Sequence, residues 1–336
     1  MHRYHAQSLC LSLLALRRCL SLPNLTPEVE CRAWTAMVEI GMLVIDRGFS
    51  QNNDHFWARG IEIEVEKAAS KAVSIHSTAH PTLRLYRPHV TCLTARLLYW
   101  QHKSKFALTL LRRLRISFLP SDPPHATYAA HLTLISLLAT SNASSTISSS
   151  KDMKAPLSVV HALADLADKN RHFGVKSFAL VLTLRTLVSL RLWESVDDSL
   201  RLVEEALGIE CPSGQVCGEG ARPVAAGNQG LWPVYRSNHP PPTQPLPKFA
   251  DKLAAVMAIH TLIIGVVFHT FVGNFARASA RLTFLHMLMD SGALIAPSSG
   301  VVEITFSDPP FLPLYSSKRH IHVSFSFLRI SSTLSQ

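Results

Sequence analysis

An all-α fold built from antiparallel helical hairpins is predicted by three features of this sequence. Leu and Ala dominate an apolar fraction of 47%, and only 14 of the 336 residues are glycine. Apolar positions recur at helical spacing in one segment after another. Proline and glycine fall where those segments would end. A charged fraction of 17% beside so much apolar surface gives the chain a sizeable core and excludes a disordered composition. The length admits one large domain, two ordinary ones or an elongated repeat array.

Leu9, Leu13, Leu16 and Leu20 lie at helical spacing and predict a helix over 5–21, ended by Pro23. Its apolar stretch follows a basic start, as in a signal peptide. Arg17 and Arg18 interrupt it, however, and no small-residue cleavage site follows. A second helix over 28–47 carries Trp34, Met37, Val38, Gly41 and Val44, and Arg47-Gly48-Phe49 ends it. After the polar loop Ser50–Asp54, a helix over 56–77 sets Ala68, Ala69 and Ala72 on one face and stops before His80-Pro81. Pro88 opens the next helix, which breaks at His102–Ser104. A helix over 105–118 follows, closed by Pro120. Helices are expected over 125–139 and over 155–169, the latter with Pro156 near its start, on either side of a low-complexity loop, Ser141–Ser150. Helices over 173–191 and 196–208 turn near Trp193-Glu194-Ser195.

Composition then shifts. Residues 210–248 concentrate glycine and the run Pro240-Pro241-Pro242, which reads as a linker or insertion. A last hairpin covers 249–294. The stretches Val301–Phe306 and His320–Ile330 alternate in the strand manner, so 295–336 reads as a β-prone or disordered tail. The expected organisation is a helical repeat array over 1–209, the linker, a further repeat over 249–294, and the tail.

The hairpins share a register. In the pair at 88–119, Ala95 and Ala107 are twelve apart, as are the small residues where tetratricopeptide helices cross. Ser199 in the pair at 173–211 and Ala278 in the pair at 253–290 fall in the same second-helix slot as Ala107. Gly273-Asn274-Phe275 matches the turn that precedes the small residue by five. A degenerate, over-long tetratricopeptide-like solenoid, a superhelix of hairpins, is the expected architecture. The groove of such a solenoid is lined by first helices. The register assigns to it His89, Arg96, Tyr99 and Trp100 from one unit, and His260, Ile263, Val267, Thr270 and Phe271 from another.

Leu253–Phe275 contains no Asp, Glu, Lys or Arg and is long enough to cross a bilayer. His260 and His269 lie inside this run, with Lys248 and Lys252 before it and Arg277 and Arg281 after it. A buried first helix of a repeat accounts for the run and also for the Gly-Asn-Phe turn.

Chemistry is sparse. The phosphate-loop, dinucleotide, nucleophile-elbow and HExxH patterns are all missing, and no catalytic constellation or cofactor site is expected. His320 and His322 form an HxH without a nearby carboxylate or cysteine, so no metal is expected. Six cysteines lack CxxC spacing and read as free thiols in a reducing compartment. The net charge of +10 suits acidic partners: nucleic acid, an acidic protein segment or anionic lipid. Its densest cluster is Arg112, Arg113 and Arg115, after Lys103 and Lys105. These read as solvated helix faces more readily than as a DNA site, and direct DNA contact stays open.

Two stretches carry a family resemblance. LRLYRPHVTCLTARLLYWQHKSKFALTLLRRLRISFLPSDPPHATYAAHLTLI and MAIHTLIIGVVFHTFVGNFARASARLTFLHMLMDSGAL resemble the fungal form of the cohesin loading factor, the tetratricopeptide-type subunit of the cohesin loader. The resemblance covers roughly residues 30–305, with 210–248 as a gap, and rests on pattern rather than on a catalytic signature. It implies a nuclear, chromatin-associated scaffold without enzymatic activity. The implied partner is the large HEAT-repeat subunit of the loader, whose extended N-terminal segment the scaffold encloses. Cohesin and chromatin are engaged through it, for sister-chromatid cohesion. Family members usually continue with further helical repeats, so a truncated member is the expectation. Two alternatives stand beside it: a generic tetratricopeptide adaptor, and a small helical membrane protein spanning at 253–275.

Overall fold

The computed structural model describes residues 5–52, 54–77, 81–144, 150–209, 249 and 252–290. The linker expected over 210–248, the tail over 295–336, and with them Cys211, Cys217, His320 and His322, lie outside the described residues. Among the described residues every regular element is helical. The chain forms two compact units, Met1–Leu166 and Ala167–Gln336.

The first unit opens with α1 (His5–Leu20), which buries Leu9 and Leu13 against α2 (Pro27–Asp46). Thr26 caps α2: its hydroxyl accepts from the Val29 amide, Pro27 takes the first helical position, and Glu28 and Glu30 complement the positive helix end. α2 pairs with α3 (Ile61–Ser77). The approach is close at Gly41, where a Cβ would overlap the Cγ2 of Val65. Sequence reading starts this helix at 56. The structure places a 3-10 turn at Phe56–Ala58 and a left-handed Gly60 before α3, so the helix proper begins later. The Arg17 guanidinium grips both carboxylate oxygens of Glu64 at 2.8 and 2.6 Å, tying α1 to α3. This hydrogen bonding holds the Glu64 carboxyl below its ordinary range.

α4 (Arg87–Trp100) and α5 (Ser104–Ile116) form the next hairpin, and α6 (Pro124–Ser144) packs on both. α7 (Ser150–Lys169) crosses the division between the units. It begins before Pro156, which sits inside the helix rather than in its first turn. Cys31 and Cys92 are buried free thiols, and burial pushes Cys92 up to about 11. Cys10 and Cys19 are free and half-buried.

The second unit holds the hairpin of α8 (Phe173–Ser189) and α9 (Val196–Ala206), and the hairpin of α10 (Lys252–Phe271) and α11 (Phe275–Asp290). Part of its core is built from Ile209, Ala258, Leu262, Phe284 and Leu288. The Arg281 guanidinium of α11 is buried and bonds both carboxylate oxygens of Glu204 on α9, at 2.7 and 2.8 Å. The Arg281 side chain passes α10 at Gly265, where a Cβ would stand 2.7 Å from the Arg281 Cδ. Glycine here makes room for an ion pair that links the helices on either side.

One chain-reversal geometry recurs. The second residue after the helix adopts a left-handed conformation at His102 (φ 61°), Arg171 (φ 58°), Arg191 (φ 57°) and Gly273 (φ 83°). In each case the following amide bonds the carbonyl five residues back: Lys103 to Leu98, His172 to Ala167, Leu192 to Leu187, and Asn274 to His269. Counting five from the left-handed residue reaches Ala107 in α5 and Ala278 in α11, both buried, as is Ala95 in α4. In α9 the same count from Arg191 reaches Val196, which is fully buried, while Ser199 is only half-buried. The register expected at Ser199 is therefore corrected to Val196. Small size was the sequence criterion, and this crossing accepts a valine.

Candidate protein-interaction surface

α10 has no Asp, Glu or Arg along its length, so its faces differ in burial rather than in charge. One face enters the core through Leu253, Met257, Ala258, Thr261, Leu262 and Phe268. The Thr261 hydroxyl is satisfied by the Met257 carbonyl at 2.8 Å. Another face meets solvent with Ile263 (41% exposed), Val267 (52%), Thr270 and Phe271 (67%). Their spacing aligns them along the helix. Trp193, from the 3-10 turn before α9, stacks on the Phe271 ring with centroids 4.8 Å apart and planes 26° apart. Val272 and Phe275 prolong the apolar surface past the end of α10. Fully burying a side chain of this kind gains about 1.5–3 kcal/mol, and an aligned stripe left in water marks a contact surface more than scattered residues do.

The turn beyond this face is built locally. Gly273 adopts the left-handed conformation, and the Asn274 side-chain oxygen accepts from the Arg277 amide at 3.2 Å to start α11. Asp197 of α9 receives the Arg277 guanidinium at 3.4 Å and lies 4.0 Å from the His269 ring.

Four of the five α10 groove residues predicted from sequence thus lie exposed on the helix: Ile263, Val267, Thr270 and Phe271. His260 is half-buried. Burial, and then the nearby Arg185 charge, pushes its pKa from 6.5 down to about 4. His269, only 2% exposed, falls to about 4 through burial and then the Arg281 charge, against the opposing pull of Asp197. Both rings are neutral at pH 7. Each folded value lies below its unfolded one, so the stabilisation is whole above pH 6.5 and is lost as pH falls towards 4. Urea unfolding at stepped pH is expected to show a decline across that window, on the order of 3 kcal/mol from each ring. His260→Gln with His269→Gln should flatten it, and an unchanged slope would refute this origin.

The α4 residues sit otherwise. His89 bonds Glu39, and Arg96 pairs with Asp46, both partners lying on α2. Each pair spans fifty positions in sequence, so the two contacts keep one register between α2 and α4. Trp100 packs against the core cluster of the first unit, and Tyr99 is half-buried. His89 and Arg96 thus touch α2 while staying exposed, and Trp100 is half-buried against its own unit. Trp193 was missed as a surface residue. Its signal was a tryptophan in the short turn between two helices, beside Glu194 and Ser195.

Among the described residues, no group of three or more His, Cys, Asp or Glu is arranged to hold a metal ion. One described helix segment, Leu253–Phe271, is long and apolar enough to cross a membrane, and 56% of that window is buried inside the protein. No protein-family model matches the chain, and no curated protein and no solved structure matches it at a significant level.

Proposed function

We propose that this chain is a non-enzymatic scaffold whose tetratricopeptide-like hairpins hold an extended segment of a larger protein. Its partner is the large HEAT-repeat subunit of the cohesin loader, and its place is the nucleus, on chromatin. The observation that carries the binding role is the exposed Ile263, Val267 and Phe271 stripe, with Trp193 stacked at its end. Aromatic and aliphatic anchors on a supported helix suit an extended or helical peptide, which supplies its own backbone polarity. The partner's identity is supported by the sequence resemblance described above, and the serial hairpins agree with that resemblance.

Affinity recovery from cells tests both parts. Tagged chain is expected to recover a large HEAT-repeat protein together with cohesin. Ile263→Asp with Val267→Asp, placed at exposed positions where the cost to folding is small, should reduce recovery about tenfold or more. Recovery of neither protein defeats the loader reading. Recovery of a different protein complex through the same stripe favours a generic adaptor. A second reading, a membrane span over 253–275, is favoured by the apolar length of α10. It predicts extraction only with detergent, and solubility in plain buffer eliminates it.

A further inference from the structure

The arginine cluster of α5 opens onto a cleft of about 580 Å³ between α5, α6 and α7, within the first unit. Its apolar lining includes Leu134, Leu138 and Val159, all buried, and its cationic lining is Arg112 and Arg115. Arg112 is exposed at the mouth. Arg115 is half-buried, and its Nε is enclosed without a hydrogen-bond partner. Among the described residues neither arginine forms an ion pair. A guanidinium donor shut away from water and left unbonded costs free energy that an incoming acceptor would recover.

The rest of the wall supplies no carboxylate: its polar members are Thr127, His131 and Ser158. His131 lines the cleft, and its Nδ1–H donates to the Thr127 carbonyl at 2.8 Å. Burial holds this ring below its ordinary value, and the Arg115 charge adds to the effect, so it stays neutral beside the arginines. The cleft therefore combines an apolar floor, two unpaired cations and a neutral polar edge. Its volume matches several side chains rather than a closed small-molecule chamber, and it is open to solvent.

We infer that this cleft seats an acidic amphipathic segment of a partner protein, with carboxylates on Arg115 and Arg112 and apolar side chains on Leu134 and Leu138. Charge complementarity selects this occupant. The chain carries a net charge of +10, which speeds the approach of an acidic partner. A nucleic acid would satisfy the cations but would leave the apolar floor uncovered.

Fluorescence anisotropy with the full chain tests this. The probe is a labelled peptide of about 15 residues carrying leucine at helical spacing and glutamate beside it. Saturable binding is expected, weaker by about tenfold in Arg115→Gln and in Leu138→Glu, and weaker again as salt rises. The same peptide with glutamine for glutamate should bind about tenfold less well. Arg112 is exposed, so Arg112→Gln keeps the test open if Arg115→Gln disturbs folding, which circular dichroism reports. The cleft does not rest on the α10 surface: Ile263→Asp with Val267→Asp should bind the probe as the parent chain does. The inference is overturned if the parent chain does not bind the peptide, or if the glutamine peptide binds equally. It is also overturned if dodecanoate or a DNA duplex occupies the arginines and excludes the peptide.

Discussion

Glu204→Gln is expected to destabilise the protein by about 3–5 kcal/mol, because it leaves the buried Arg281 guanidinium without its counter-charge. Both partners are more than nine-tenths buried, and both nitrogen–oxygen bonds of the fork are short. Arg281→Met should cost a similar amount for the mirrored reason. Replacing both together, Glu204→Leu with Arg281→Met, removes two desolvation penalties at once and should restore much of the loss. Urea unfolding of the parent, Glu204→Leu, Arg281→Met and the double chain closes a double-mutant cycle with a large coupling. Additive single costs would show that the two groups do not act as a pair. Gly265→Ala belongs to the same test. Its new methyl would meet the Arg281 Cδ at 2.7 Å, the Arg281 Nε at 2.9 Å and the Leu200 Cδ2 at 3.3 Å. It should therefore destabilise by about 1–3 kcal/mol, and by less once Arg281 is shortened.

Gly41→Ala is the second large effect. Alanine is the better helix former by about 1 kcal/mol, so propensity alone predicts stabilisation. The structure predicts the reverse, since the added Cβ overlaps the Val65 Cγ2 where α2 and α3 press together. A net loss of about 1–3 kcal/mol is expected. Val65→Ala in the same chain should recover part of it by vacating the space. Thermal unfolding decides the sign, and a Gly41→Ala chain at least as stable as the parent would overturn this account of the packing.

These two glycines show what a linear reading captures. Helix existence was legible almost throughout, because apolar spacing and Pro or Gly punctuation act locally. The pairs α2/α3, α4/α5, α8/α9 and α10/α11 fall where the sequence pattern predicts hairpins. The α10 stripe was legible for the same reason: four residues on a regular helix share a direction whatever packs behind them. Long-range partners were not legible. Glu39 with His89, Asp46 with Arg96 and Glu204 with Arg281 are separated by 50 or 77 positions. No spacing rule singles out one carboxylate at that distance. His89 and Arg96 therefore read as groove residues, and their contacts with α2 carry no local sequence signal. The arginine cluster of α5 was visible as a cluster, but the cleft it borders depends on three helices converging.

The reversals at His102, Arg171 and Arg191 have a thermodynamic corollary. Each places a residue with a Cβ in a conformation that costs about 1–2 kcal/mol, where the equivalent turn before α11 uses glycine. The hairpins therefore carry a standing conformational debt at three joints. Helix packing must exceed it before any net stability remains, whereas the joints at Gly48 and Gly273 place glycine in that conformation at little cost.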